Sequence, residues 1–463
     1  MLQRSGDGTS FAKTPRTPLP AYMQSPLRIA LISEHASPLA ALGSTDAGGQ
    51  NVYVAEVARA LAARGHAVDV LTRRDAVHLP AAVDICPGVR VLHIDAGPAT
   101  AVAKEQLLPF MAEFESRALQ LFRHSVPYDV LHANFFMSAG VALRLRGLLG
   151  VPLVVTFHAL GLIRREHHGE DDGFPPERIA IEQRVVREAD RIVAECPQDQ
   201  ADLMRAYGAD ASRLSMVPCG VDLEQFRPGS KQQARRVLGL NDDEFIVLQL
   251  GRMVPRKGVD NVIQAMAHLD QGRPLRLLVV GGNSPDPDDG STPEIERLKR
   301  FATHCGVAST VSFVGQRQRE ALRHYYLAAD VFVSTPWYEP FGITPLEAMA
   351  CATPVVGSDV GGIRYSVRDG VTGFLVPPRE PAALAQRLDQ LRANPALAAA
   401  MGRAGAHRVR ARFTWDRVAT DLLDVYRGAA LRHSVSAQPP TLRNARAMVN
   451  PTRWDRARSG RSA

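Results

Sequence analysis

"LRIALISEHASPLAALGSTDAGGQNVYVAEVARALAARG", residues 27–65, reads as a strand, a glycine loop and a helix. "LRIALIS" (27–33) is short and apolar, as a strand buried on both faces is. In the helix that follows, Val54, Val57, Ala58, Leu61 and Ala62 recur at helical spacing, and Gly65 ends it. The pattern then repeats. "HAVDVLTRR" (66–74), "DVLHANF" (129–135), "VPLVVTFHA" (151–159) and "ADRIVAECP" (189–197) are further strands separated by helix-like sequence. Apolar strands alternating with helices predict a parallel sheet covered on both faces.

"SMVPCGVDLEQFRPG" (215–229) is rich in turn residues, has no clear period and reads as a linker. After it the pattern restarts with "FIVLQLGRM", "LRLLVVGG", "VSFVG", "ADVFVST", "TPVVGSD" and "GFLVPP". The expectation is an α/β chain of two doubly wound domains with a cleft between them, which suits 463 residues. Ligands of such sheets sit outside the carboxyl ends of the strands, so the loops that follow strands carry the chemistry.

The formal net charge of +7 is unevenly placed. Residues 431–463 hold seven Arg and one Asp, and residues 1–25 hold two Arg and one Lys against one Asp. The body between is close to neutral, which argues against a nucleic-acid partner. The two ends, rich in Pro, Ser and Arg, read as disordered tails. Residues 1–25 contain three prolines and no apolar core of a secretory leader. No stretch reaches the ~20 apolar residues of a membrane span. The five cysteines are scattered without CxxC or zinc spacing, as expected of reduced thiols in a cytoplasmic protein.

Four loops stand out. In "GSTDAGGQN" (43–51), Gly48 and Gly49 admit close approach of a ligand to backbone, and the helix behind them offers unpaired N–H groups. A tight turn with no ligand reads from the same residues. In "GRMVPRKG" (251–258), Arg252 and Lys257 flank Pro255 and suit a diphosphate, although a solvated basic loop has the same composition. In "WYEPFGITPLEAMA" (337–350), Glu339 precedes the helix and Glu347 lies eight residues later, with Pro345 in the first turn. Carboxylates accept from sugar hydroxyls, and the N–H groups of Phe341, Gly342 and Ile343 point ahead of the helix. His158 in "TFHALG" closes an apolar strand, as a core histidine or a ligand contact would. Two acidic stretches, "DPDDG" (286–290) and "REHHGEDDG" (165–173, with His167 and His168), read as a solvated loop and a flexible acceptor-side loop rather than metal centres.

Taken together, these motifs resemble the retaining GT-B glycosyltransferases of family 4 over about residues 26–430. The Glu339/Glu347 pair in "EPFGITPLE" carries most of the resemblance. "GGQNVYVAEVARAL" points to the branch of sucrose-phosphate synthase and the mycothiol glycosyltransferases. The resemblance implies a GT-B fold of two Rossmann-like domains. The expected divisions are a tail at 1–25, an acceptor-side domain at 26–218, a nucleotide-sugar domain at 219–412, a helix at 413–430 crossing back to the first domain, and a basic tail at 431–463.

The resemblance also implies roles. Glu347 would hold the ribose hydroxyls, Glu339 the transferred sugar, and Arg252 and Lys257 the diphosphate. His158 would touch the donor sugar. Gly48, Gly49 and Asn51 would close over the phosphates from the first domain. Lys104 and Arg178 would hold an anion on the acceptor, a sugar, polyol or glycolipid. Where that branch has Tyr and Thr on the acceptor side, this chain has Phe135 and Ala159. The implied reaction is hexosyl transfer from a nucleoside diphosphate sugar with retention, by front-face substitution, with no metal and no cofactor. A sucrose-phosphate-synthase-type enzyme and a non-catalytic sugar-nucleotide binder are the alternatives. A glutamate on a ribose is blind to the base, so uracil, guanine and adenine all fit. Peripheral contact of the basic tail with a membrane, and the oligomeric state, are left open.

Overall fold

The computed structural model describes residues 26–40, 48–123, 125–169, 173–288 and 290–436. The first sheet contains β1 (Arg28–Ile32), β2 (Ala67–Arg73), β3 (Ala82–Cys86), β4 (Val89–Ile94), β5 (Val130–Asn134), β6 (Leu153–Thr156), β7 (Arg191–Ala194) and β8 (Leu214–Met216). Their order is β3-β4-β2-β1-β5-β6-β7-β8. All neighbours are parallel except β3 and β4, which form an antiparallel pair at the edge. The second sheet contains β9 (Phe245–Leu250), β10 (Leu275–Val280), β11 (Val311–Gly315), β12 (Val331–Ser334), β13 (Val355–Ser358) and β14 (Gly373–Val376), in the order β11-β10-β9-β12-β13-β14 and parallel throughout.

Strand order reverses between β1 and β5 in one sheet and between β9 and β12 in the other. At such a switch point the two following loops diverge to opposite faces and leave a crevice. The glycine loop follows β1, and Phe135 follows β5. The basic loop follows β9, and the Glu339 loop follows β12. Topology therefore gathers two of these segments at the crevice of each sheet, and the packing of the domains brings the two crevices together in one cavity.

The helix Gly49–Ala62 covers one face of the first sheet and is itself covered by the last helix, Trp415–Ser436. Leu31, Tyr53, Val57, Leu422 and Tyr426 share one apolar cluster with Phe413, Leu346 and Phe332 of the second half, so a single core runs through both domains. Each such large buried side chain contributes about 1.5–3 kcal/mol relative to exposure. Polar ties reinforce the crossing helix: the Tyr426 hydroxyl lies 2.8 Å from His132 Nδ1, and Arg64 pairs with Asp416 at 2.7 Å.

This helix does not end at residue 430 but continues to Ser436. Ala429 and Ala430 are still buried, and Arg432 reaches Asp210 at 3.7 Å, so the first six residues assigned to the basic tail are helical. Residues 1–25 and 437–463 lie outside the described residues. The presumed linker also begins later than its composition suggests, because Leu214–Met216 is the edge strand β8. The chain then crosses between the sheets at 217–221 and returns at 413–415. The two crossings touch: Val221 N–H donates to the Phe413 carbonyl at 2.9 Å, and a Cβ on Gly220 would lie 2.7 Å from Trp415 N. No helix among the described residues is long and apolar enough to cross a membrane.

Candidate active site

Loops from both sheets line a cavity of about 540 Å³. One glycine locks the second-domain side. Gly258 has φ +67, and a Cβ there would collide with the Thr335 carbonyl. Only glycine lets the end of the basic loop close against the end of β12. That closure sets Lys257 beside Glu339.

Glu339 is almost buried and forms ion pairs with Lys257 and, at 3.3 Å, with Arg256. Burial pushes its pKa up, but Lys257, Arg256 and Arg252 outweigh burial and hold it at about 2. Burial pulls Lys257 down; Glu339 opposes this, Arg256 and Arg252 add to it, and the result is about 8. The pocket thus presents three clustered cations around one ionised carboxylate. Arg256, which also donates to the Tyr338 carbonyl at 3.0 Å, was not expected as a site residue. Its signal was present: it adjoins Lys257 in a 3-10 turn, Pro255–Lys257, that faces both charges inward.

Glu347 sits on the short helix Thr344–Ala350 behind this cluster. It accepts from the Tyr326 hydroxyl at 2.7 Å and lies 3.4 Å from Arg319. Burial and the neighbouring Glu347 push the Tyr326 hydroxyl up, which keeps it a donor. Phe341, Gly342 and Ile343 line the cavity, and among the described residues no backbone carbonyl accepts from their N–H groups.

From the first domain, Gly48 caps the helix Gly49–Ala62 and faces Arg252. A Cβ on Gly48 would lie 3.2 Å from Arg252 Nε, and one on Gly49 would lie 3.9 Å from Ile343 Cδ1. Asn51 adjoins them but uses its amide internally. Its Oδ1 accepts from Gly48 N–H and its Nδ2 donates to the Ser37 carbonyl, both at 2.9 Å. Its side chain therefore shapes the glycine loop.

His158 follows β6 with φ +58, a left-handed conformation that costs a non-glycine residue about 1–3 kcal/mol and tends to occur at functional sites. Its ring lines the cavity. Nδ1 lies 3.1 Å from Glu195 Oε1, Nε2 lies 3.0 Å from Asn134 Oδ1, and Tyr53 packs edge-on at 4.8 Å.

One end of the cavity is formed by first-domain residues expected on the acceptor side. Lys104 lines it, paired with Glu105 at 3.2 Å. Phe135, Phe174, Ala159, His35 and Arg164 line it too. Arg178 does not. It is 1% exposed, stacks 4.6–5.0 Å from the rings of Phe135, Phe136 and Phe174, pairs with Glu182 at 2.7 Å and donates to the Ala159 carbonyl at 2.6 Å. The Phe rings separate it from the cavity, so it supports the wall instead of forming its surface. His35 and Arg164 were missed because a lone His after β1 and an Arg in a charged helix carry no spacing signal.

Among the described residues no group of three or more His, Cys, Asp or Glu side chains is arranged to hold a metal ion. Asp288 of the 286–290 stretch pairs with Lys299, and Asp289 lies outside the described residues. His167 stacks on Tyr338 at 5.1 Å, while the side chain of His168 and residues 170–172 lie outside them.

Two facing doubly wound domains, with an acidic pair and clustered cations at their switch points, define a GT-B glycosyltransferase that uses a nucleotide sugar. Residues 47–225 match the family described as Glycosyltransferase Family 4, and residues 230–408 match Glycosyl transferases group 1. The chain is 39% identical over 422 residues to D-inositol 3-phosphate glycosyltransferase of Geodermatophilus obscurus, covering 89% of this chain and 92% of that one. It is 41% identical over 408 residues to D-inositol 3-phosphate glycosyltransferase 1 of Catenulispora acidiphila, covering 87% and 96%. Sucrose-phosphate synthase from Thermosynechococcus elongatus superposes with a TM-score of 0.80 at 36% identity, covering 87% of this chain and 98% of that one. The chain belongs to glycosyltransferase family 4.

Proposed function

We propose that this glycosyltransferase moves a hexosyl group, with retention, from a nucleoside diphosphate sugar to a hydroxyl of an anionic or phosphorylated acceptor, without a metal. The observation that carries the reading is the cluster of Arg252, Arg256 and Lys257 around Glu339, faced by Gly48 at the amino end of a 14-residue helix. A diphosphate placed between them meets fixed positive charge from both domains, the arrangement that stabilises charge growing on a leaving phosphate. Those cations supply the neutralisation that a metal would otherwise give.

Glu339 is bound to Lys257 and Arg256, and Glu195 to His158, which lowers the nucleophilicity of both carboxylates. This supports front-face substitution, in which the leaving phosphate takes the acceptor's proton. Lys104, His35 and Arg164 around the acceptor end favour an anion there, as the relatives named for inositol 3-phosphate suggest. Phe135 and Ala159 supply no hydroxyls to that anion, which weighs against inositol phosphate and against fructose 6-phosphate as the acceptor. The five free thiols support a cytoplasmic site of action.

The test is turnover in chelator followed by NMR of the new glycosidic bond. An unchanged anomeric configuration at full rate supports the reading. Inversion, or activity that returns only with added divalent metal, contradicts it.

A further inference from the structure

Glu195 and Cys219 take part in none of the contacts assigned above to donor or acceptor, yet they form one chain with His158. Glu195 is 3% exposed and follows β7, beside the β6 end that carries His158. Its Oε1 lies 3.1 Å from His158 Nδ1, and the buried Cys219 thiol donates to the same oxygen at 3.2 Å. Burial and the neighbouring Glu195 push that thiol well above its ordinary value, so it keeps its proton. Cys219 lies in the segment that crosses between the domains, anchored where Val217 N–H donates to the Ala194 carbonyl at 3.0 Å. On the other side of the ring, Asn134 Oδ1 faces Nε2, while its Nδ2 is turned toward the carbonyls of Ile32 and His132.

We infer that Glu195 is a positioning residue that accepts from His158 Nδ1–H and, with Asn134 on Nε2, fixes the ring at the cavity wall, with Cys219 fixing the Glu195 carboxylate from the inter-domain segment. This rests on the reading of His158 as the donor-sugar contact. A buried carboxylate bonded to one imidazole nitrogen sets both the tautomer and the orientation of the ring. Here that orientation is imposed on a residue whose backbone is already strained, so the ring has two independent restraints. The thiol adds a third link, which ties the ring to the crossing between the sheets.

The experiment compares Glu195→Ala, Glu195→Gln and Cys219→Ala in the full chain. Two readouts are used: the Nδ1–H resonance of His158 in 15N-histidine NMR, assigned with His158→Gln, and steady-state kinetics with the donor. Glu195→Ala is expected to abolish the resonance and lower kcat about 10- to 100-fold, the scale for losing a carboxylate that orients an imidazole. The KM for the donor should move less than about threefold, because ground-state binding is untouched. Glu195→Gln, which keeps an oxygen acceptor, should fall between the two, and Cys219→Ala should cost a few-fold. If Glu195→Ala does not fold, the other two variants carry the comparison. A resonance that persists without the carboxylate, or one that vanishes while kcat stands, overturns the inference. His158→Ala with full turnover removes the reading beneath it and is seen independently of the NMR result.

Discussion

Arg252 of the second domain lies against Gly48 of the first, with a Cβ on Gly48 placed only 3.2 Å from its Nε. The guanidinium therefore occupies the space a side chain would take at the amino end of the first helix. On the proposed reading, the donor's diphosphate lies between this cation and the amino end of the first helix. Gly48→Ala should push Arg252 aside by a few tenths of an ångström. Gly48 has φ −152, outside the left-handed region that favours glycine. The donor KM should rise several-fold, with Tm unchanged, as measured by steady-state kinetics and calorimetry. An unchanged KM would remove Arg252 from the diphosphate contact.

Lys257 and Glu339 set the pH behaviour. With Lys257 held at about 8, kcat/KM for the donor should fall as pH rises through that value, since the free enzyme then loses a cation. Lys257→Arg keeps its charge at every accessible pH, and the alkaline limb should vanish. The same limb in both proteins would place the titration elsewhere.

At low pH the sign reverses. Glu339 ionises more readily in the folded chain, at about 2, than at its ordinary 4.5. The stability this confers is complete above pH 4.5 and is lost as pH falls through 2. Glu339→Gln should flatten the acid limb of a denaturation series across that window. Equal acid sensitivity in the two proteins would contradict the pairing.

Much of this arrangement is legible in the sequence, for an identifiable reason. Parallel strands covered on both faces are continuous apolar runs, so β1, β9 and β12 are plain to read and with them the loops they project. The pair β3–β4 is not, because "AVDIC" is half-exposed at an edge and lacks that signature. Glu339, Arg252 and Lys257 are legible as chemistry because they stand in Pro/Gly loops after strands, and Glu347 because it lies eight residues beyond Glu339 on the helix that follows. Glu195 and Cys219 escape notice because each acts through a neighbour that only the fold supplies. Arg178 shows the converse: a cation at the right position in the chain, enclosed by three phenylalanines.

That difference predicts opposite effects for the two acceptor-side cations. Arg178→Ala leaves Glu182 buried without its ion pair, and should cost about 3–5 kcal/mol in denaturant unfolding. Lys104→Ala should leave stability within about 0.5 kcal/mol, as for a surface substitution, and raise the acceptor KM. Equal stability in the two variants would refute the supporting role of Arg178.

Truncation should separate the last helix from the sequence after it. Ending the chain at Arg412 exposes the first helix and removes Tyr426 from His132, so cooperative unfolding should be lost. Ending it at Ser436 should preserve Tm and turnover. A stable chain without residues 413–436 would show that the crossing helix is dispensable.

The most direct measurement is a thermal-shift series in chelator with UDP-glucose, UDP-N-acetylglucosamine, GDP-mannose, ADP-glucose and the free diphosphates. A ligand at 100 times its Kd stabilises by about 2.7 kcal/mol, well within reach of the method. The account predicts a rise in Tm with one base family, kept without metal and lost in Lys257→Ala. No rise with any donor, or a rise that survives Lys257→Ala undiminished, would contradict the assignment of the cleft between Gly48, Arg252, Lys257 and Glu339 as the nucleotide-sugar site.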